Sequence, residues 1–208
     1  RTYTKTKRAD KEQDTHQKII DAALLLYGGV GPAATTISAV ATKASVQRLT
    51  VYRHFPKEAD LMAGALKAWF ESSPMPDPAD WRDRVNPQDW PIAILSMLYY
   101  YYSETSHVWV GLQSDRGKLD DLDKALIRAD KHLAVIQDDI MRHLPAARRD
   151  NALCRAVVRH SVQFSTWQSL TASELDTVEI AALMEDWALR NRARNRSIAS
   201  CLLRSCVR

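Results

Sequence analysis

Residues 46–56 read Val46-Gln47-Arg48-Leu49-Thr50-Val51-Tyr52-Arg53-His54-Phe55-Pro56. The segment holds one or two turns of helix, yet it offers few apolar side chains to a core. Val46 and Val51 can face inward and anchor it. Gln47, Arg48, Leu49, Thr50, Arg53 and His54 are then left on outer faces. A core helix would be more apolar, and a catalytic loop would more often carry Gly or an acid. The side chains present are those that pair with base edges or hold phosphate.

The flanking sequence supplies a scaffold for that segment. Upstream, a helical pattern opens at Thr15 or His16 and gathers Ile19, Ile20, Ala22, Ala23, Leu24, Leu26 and Tyr27 mainly on one face. Gly28-Gly29 and then Gly31-Pro32 end it. Thr35-Thr36 supplies an N-cap for a second helix through about Ala44, with Ile37, Val40, Ala41 and Ala44 as its apolar stripe. Ala44-Ser45-Val46 fits a tight turn, and a third short helix runs from Gln47 to about His54. Three short helices with a tight turn between the second and third are the parts of a helix-turn-helix, whose second helix of the pair enters the DNA major groove. On that reading Arg48 reaches guanine O6 and N7, Gln47 pairs with adenine, and Leu49 or the Thr50 methyl touches a thymine methyl. Tyr52 and His54 suit phosphates, and Thr36 meets a phosphate at a helix N-terminus. Arg53 divides evenly between a DNA contact and a solvated charge.

The run Ile19-Ile20-Asp21-Ala22-Ala23, Tyr27, Gly31, Thr35-Thr36, Val40-Ala41, Ala44, Val46, Tyr52, His54-Phe55-Pro56 and Leu61 has a further meaning. With these residues, 19–62 resemble, without a gap, the DNA-binding domain of the TetR family of bacterial transcriptional regulators. The resemblance implies an all-helical homodimer that binds a palindromic operator. It also implies a C-terminal domain that binds a small effector and releases the DNA. Two positions depart from the family pattern. Ser45 stands where the turn usually has Gly. Lys57 precedes Glu58, so the basic residue that meets phosphate at the start of the fourth helix stands one place early, and Glu58 would repel DNA.

Composition narrows the alternatives. Of 208 residues, 46% are hydrophobic, and only 6 Gly and 8 Pro punctuate them, which points to a globular all-α chain. Three Cys (Cys154, Cys201, Cys206), none at metal spacing with His, fit a reducing cytoplasm. No apolar run is long enough to span a membrane. The start has neither a secretory pattern nor an initiator Met, which points to processing upstream. Residues 1–60 carry net +4, residues 61–189 net −6, and residues 190–208 net +6. A basic head on an acidic body suits a polyanionic partner for the head. Residues 1–14 are expected to be mobile, and the basic arm at 1–11 to be either idle or a further phosphate or minor-groove contact.

The remaining pattern places a helix from Pro56 onward and a Pro-rich boundary at 72–91. It then places a helix at 91–103, a segment around Trp109, a long helix at 119–144, another at 148–170, and a last one opened by a capping box at Thr171–Glu174. Two domains are expected: 1–56 for DNA, and 57–208 for effector binding and dimerisation. The resemblance puts the dimer seam on the last two long helices, where Val157, Ser161, Ser165 and Gln168 form a small-residue stripe. Tyr99 to Tyr102, and in particular Tyr101, with Trp109, His160, Gln163, Phe164 and Trp167, are candidates for an apolar effector pocket, against the alternative that these rings are ordinary core. The tail 190–208 is read as an ordered continuation of the last helix or as a foreign remnant. No cofactor, metal cluster, nucleophile–base pair or phosphate loop is found, which argues against a helical enzyme. An activator, or a regulator with a protein partner, remains open beside the repressor.

Overall fold

The computed structural model describes residues 2–86 and 89–190, and its regular elements are all helices: α1 (Thr2–Val30), α2 (Ile37–Lys43), α3 (Arg48–His54), α4 (Glu58–Ser72), α5 (Ala79–Arg82), α6 (Trp90–Ser114), α7 (Asp120–His143), α8 (Ala146–Arg149), α9 (Ala152–Ser161), α10 (Phe164–Thr171) and α11 (Thr177–Arg190). The all-α expectation therefore holds. The chain forms two compact units. One contains the sequence up to Pro76 together with Tyr100–His132, and the other contains Asp77–Tyr99 and the chain from Leu133 onward. Among the described residues no helix is long and apolar enough to cross a membrane.

In the first unit α1 packs on α2 and α4, and α2 packs on α3. Ile19, Ala23, Val40, Val51, Leu61, Ala65 and Leu66 are buried between them. The second half of α6 meets α1 at unusually short range. A Cβ on Gly28 would strike the backbone carbonyl of His107, and one on Gly111 would strike the carbonyl of Tyr27. The two helices therefore touch backbone to backbone, which only glycine permits. Gly31, at φ +86°, then ends α1 and turns the chain back. Beside it the buried Asp115 carboxylate accepts from the Ala33 N–H at 2.8 Å and from Lys118 Nζ at 2.9 Å. Burial works against the charge on Asp115, but these two hydrogen bonds and the Lys118 charge hold its carboxyl below the usual carboxylate range.

The second unit is organised around a buried acid of its own. Asp139 on α7 accepts from Trp81 Nε1 at 3.0 Å and from Arg82 Nη2 at 2.8 Å, with Arg142 at 3.3 Å. Burial again opposes the charge, and Arg82, Trp81 and Arg142 together keep the carboxyl low. These bonds fix the short α5 inside the Pro-rich segment. Tyr99 donates to the Ser161 carbonyl at 2.6 Å, tying α6 to α9.

Several boundaries differ from the sequence reading, each for a local reason. Residues 2–14 are helical, because nothing in them breaks a helix and extending an existing one is cheap. Gly28 and Gly29 stay within α1, and Gly31 is the true stop. Pro56 lies outside α4, whose N-cap is Lys57 and whose Asp60 carboxylate accepts from the Lys57 N–H. The polar run Ser103–Ser106 does not break α6, because Ser103, Thr105 and Ser106 donate back to carbonyls one turn earlier.

The C-terminal boundaries also shift. The helix expected at 148–170 is divided into α8, α9 and α10. Asn151 caps α9 through the Leu153 and Cys154 N–H groups, and the chain breaks again at Val162-Gln163, where Thr166 donates to the His160 carbonyl. The last helix is capped by Asp176 with Glu179 reaching back, not by Thr171 with Glu174. Glu174 instead takes a positive φ. The tail beyond 190 lies outside the described residues.

The glycine contact generates a paired test. Gly111→Ala should lower stability by about 1–3 kcal/mol or more, because a backbone has to move. Gly29→Ala, where an added Cβ meets nothing within 4 Å, should raise it by about 0.5–1 kcal/mol. Urea unfolding of the two variants reads both signs.

Candidate nucleic-acid interface

The recognition segment is positioned by the way α2 ends. Thr36 Oγ1 accepts from the Ala39 N–H at 3.1 Å and starts α2. At the far end the Ser45 N–H donates to the Thr42 carbonyl at 3.1 Å, and the Val46 N–H donates to the Ala41 carbonyl at 2.9 Å. This pair of bonds is a Schellman close, and it needs a left-handed residue at Ser45, whose φ is +56°. A serine thus holds the conformation that glycine adopts without strain.

Beyond the turn, Gln47 is the N-cap residue of α3 and makes no side-chain cap bond, so its amide is free for an external partner. Val51 is fully buried and Phe55 nearly so, and these two fix the inner side of α3. Gln47, Arg48, Leu49, Tyr52 and Arg53 are exposed, and Thr50 is half-buried. Leu49 is 77% exposed, so its side chain is available to an external partner. Thr36 and Lys57 are exposed as well. The structure thus brings together the exposed members of the expected set on α3 and its N-cap. Lys43, exposed in the last turn of α2 beside the turn residues, adds a positive charge that the sequence reading did not single out.

His54 has a different setting from the exposed group. It is half-buried with its Nε2 inside and without a hydrogen-bond partner among the described residues. Its ring meets His16 of α1 edge-on at 5.8 Å, and His16 also lies 4.8 Å from the Phe55 ring. Burial, then the neighbouring His16 and Arg53, push the His54 pKa down, against a smaller opposing pull from Glu12. The ring pins the end of α3 to α1. His16 was not foreseen, because a single histidine in a polar stretch of α1 carries no sequence signal of its partner.

The expected effector residues fall in two places. In the first unit Trp109 packs edge-on against Trp69 at 5.4 Å, Phe70 at 6.2 Å and Tyr102 at 5.9 Å, and Tyr101 lies 5.8 Å from Tyr102. Burial pushes the Tyr101 phenol up to about 12, so it stays protonated. In the second unit Phe164 and Trp167 are buried with rings 5.4 Å apart. The face drawn through His160, Phe164 and Trp167 does not form, because the chain breaks between α9 and α10. His160 is exposed, and half-buried Gln163 is the N-cap residue of α10. The same break interrupts the expected small-residue stripe: Val157 and Ser161 are buried, while Ser165 and Gln168 are exposed. Among the described residues no group of three or more His, Cys, Asp or Glu side chains is placed to hold a metal ion.

Comparison with known proteins agrees with this arrangement. Residues 19–65 match the model of the bacterial regulatory proteins, tetR family. No curated protein matches the chain. Among solved structures, a TetR-like transcriptional regulator from Rhodococcus sp. RHA1 superposes with a TM-score of 0.63 at 18% identity, covering 87% of this chain and 97% of the other. A tetR-family transcriptional regulator from Streptomyces coelicolor gives 0.55 at 19% identity, covering 93% and 96%. The hemolysin II transcriptional regulator HlyIIR gives 0.57 at 16% identity, covering 83% and 97%. At these identities the likeness is one of fold.

The strained turn is directly testable. Ser45→Gly should raise stability by roughly 0.5–1 kcal/mol by removing a left-handed non-glycine residue, whereas Ser45→Val should lower it, since β-branching is worst there. Equilibrium urea titration of the three proteins gives the order.

Proposed function

We propose that this chain, whose residues 19–65 match the bacterial regulatory proteins of the tetR family, is a homodimeric, ligand-responsive repressor of a palindromic DNA operator. The observation that carries this reading is the outer side of α3, where Gln47, Arg48, Leu49, Tyr52 and Arg53 all stand in solvent while Val51 holds the helix down. Arg48 and Gln47 are assigned to base edges, Leu49 and Thr50 to a thymine methyl, and Tyr52, Arg53, Thr36 and Lys57 to phosphates. His54 is assigned to bracing. The functional division is 1–56 for DNA and 57–208 for effector and dimer contacts, at work in the cytoplasm.

Two copies of α3 about 34–36 Å apart would enter successive major grooves. An effector lodged among the aromatic side chains would alter that spacing, acting on the DNA-binding helices through α4 and through the glycine contact between α6 and α1. The effector is assigned as a small hydrophobic or aromatic molecule that meets the rings of Tyr101, Tyr102 and Trp109. A coupling of only about 1–3 kcal/mol shifts affinity by roughly 5- to 150-fold. For the dimer, the supporting feature is an apolar pair on α11: Leu183 and Trp187, one turn apart on one face, are 44% and 48% exposed.

Two measurements test the reading. Fluorescence anisotropy against duplexes recovered from a random pool should give an affinity that falls linearly on a log–log salt plot, with a slope of about −0.9 per phosphate contacted. On the same duplexes Arg48→Ala should lose about 1–3 kcal/mol of discrimination at the guanine it reads, while Tyr52→Phe should weaken all sites alike. A salt-independent Kd would contradict the proposal. In sedimentation, Trp187→Glu should convert a dimer into monomers, and an unchanged dimer would move the seam elsewhere.

A further inference from the structure

We propose that a cleft lined by α1, α2, α4 and the start of α7 binds a small organic cation, an ammonium group on a compact apolar body. The cleft lies within the first unit and has a volume of about 180 Å³. That is slightly more than the roughly 150 Å³ cavity known to accept benzene. Its apolar wall includes Val40 and Met62, both buried. Its acidic rim includes Glu58 and Asp120, which are exposed and have no ion pair among the described residues. The neighbouring Asp121 is already matched, with Lys124 Nζ at 3.2 Å.

Acids in the first turn of a helix are ordinary, and alone they would mean nothing. The independent observation is Tyr27. Its side chain lines the same cleft, it is only 3% exposed, and its hydroxyl has no hydrogen-bond partner among the described residues. The ring is buried, but the oxygen is not sealed off, so the hydroxyl is open to a partner that enters the cleft. Burial first, and then the charge of Glu58, drive the phenol pKa far up, so the group remains a neutral hydroxyl. Its oxygen can accept from an ammonium N–H while Glu58 and Asp120 supply the countercharge.

The occupant's class follows by exclusion. An anion would meet two unpaired carboxylates, and a purely apolar molecule would leave the Tyr27 hydroxyl unmet. Thr36, the N-cap of α2, borders the cleft as well, so an occupant would tie α2 to α4 and to the start of α7. The inference does not depend on the DNA-binding reading, because it can be tested on the free protein.

The test is titration of the full chain at low ionic strength with benzylammonium and with benzyl alcohol, which share a shape and differ in charge. Binding is followed by calorimetry and by amide NMR shifts. Benzylammonium should saturate with shifts at Thr36 and Glu58, and benzyl alcohol should bind about tenfold more weakly or worse. Glu58→Gln with Asp120→Asn should abolish the preference between the two probes, and Tyr27→Phe should weaken benzylammonium several-fold while the melting temperature stays within a few degrees. If the double variant melts early, Asp120→Asn alone should still narrow the preference. Equal binding of the two probes, no saturable binding of benzylammonium, or a preference undiminished in the folded variants would overturn the proposal.

Discussion

The backbone-to-backbone meeting of α1 and α6 at Gly28 and Gly111 is the constraint on which the first unit depends. Two helices at that range leave no room for side chains between them, so their relative placement is set by the main chain rather than by adaptable packing. Gly31 turns the chain immediately afterwards, and Asp115 holds the returning strand of backbone at Ala33. α2 starts four residues later from Thr36. Each step passes the geometry on with few soft joints, from α6 through α1 to the helix that braces α3.

α3 could not hold itself. Seven residues are too few for a stable isolated helix. Its order comes from the Schellman close at Ser45, from Val51 in the core, and from His16 and Phe55 around His54. The inner side of α3 is therefore committed to structure, and its outer side carries side chains that satisfy nothing within the unit. On the proposed function, that outer side is the one that reads DNA.

Much of this was legible in the sequence because the signals are local. The apolar stripe Ile37, Val40, Ala41, the Thr36 cap, and the alternation of Val46 and Val51 with long polar side chains depend only on near neighbours. The helical boundaries that were misread depend on distant ones. Gly28 looks like a helix stop until α6 is seen lying across it. Ser103–Ser106 look like a break until their hydroxyls are seen turned back on their own helix. The break between α9 and α10 carries no Gly or Pro, so the stripe through His160, Phe164 and Trp167 followed from an uninterrupted period that the chain does not keep. The partner of His16, and the open hydroxyl of Tyr27, are tertiary facts that no spacing announces.

The central claim is that the outer side of α3, with the start of α2, is the surface that meets duplex DNA. Amide hydrogen exchange with and without a duplex recovered from a random pool tests it most directly. The account predicts slower exchange on binding at residues 36–39 and 47–54. Protection confined to α9–α11, or no protection anywhere while the duplex is bound, would contradict it.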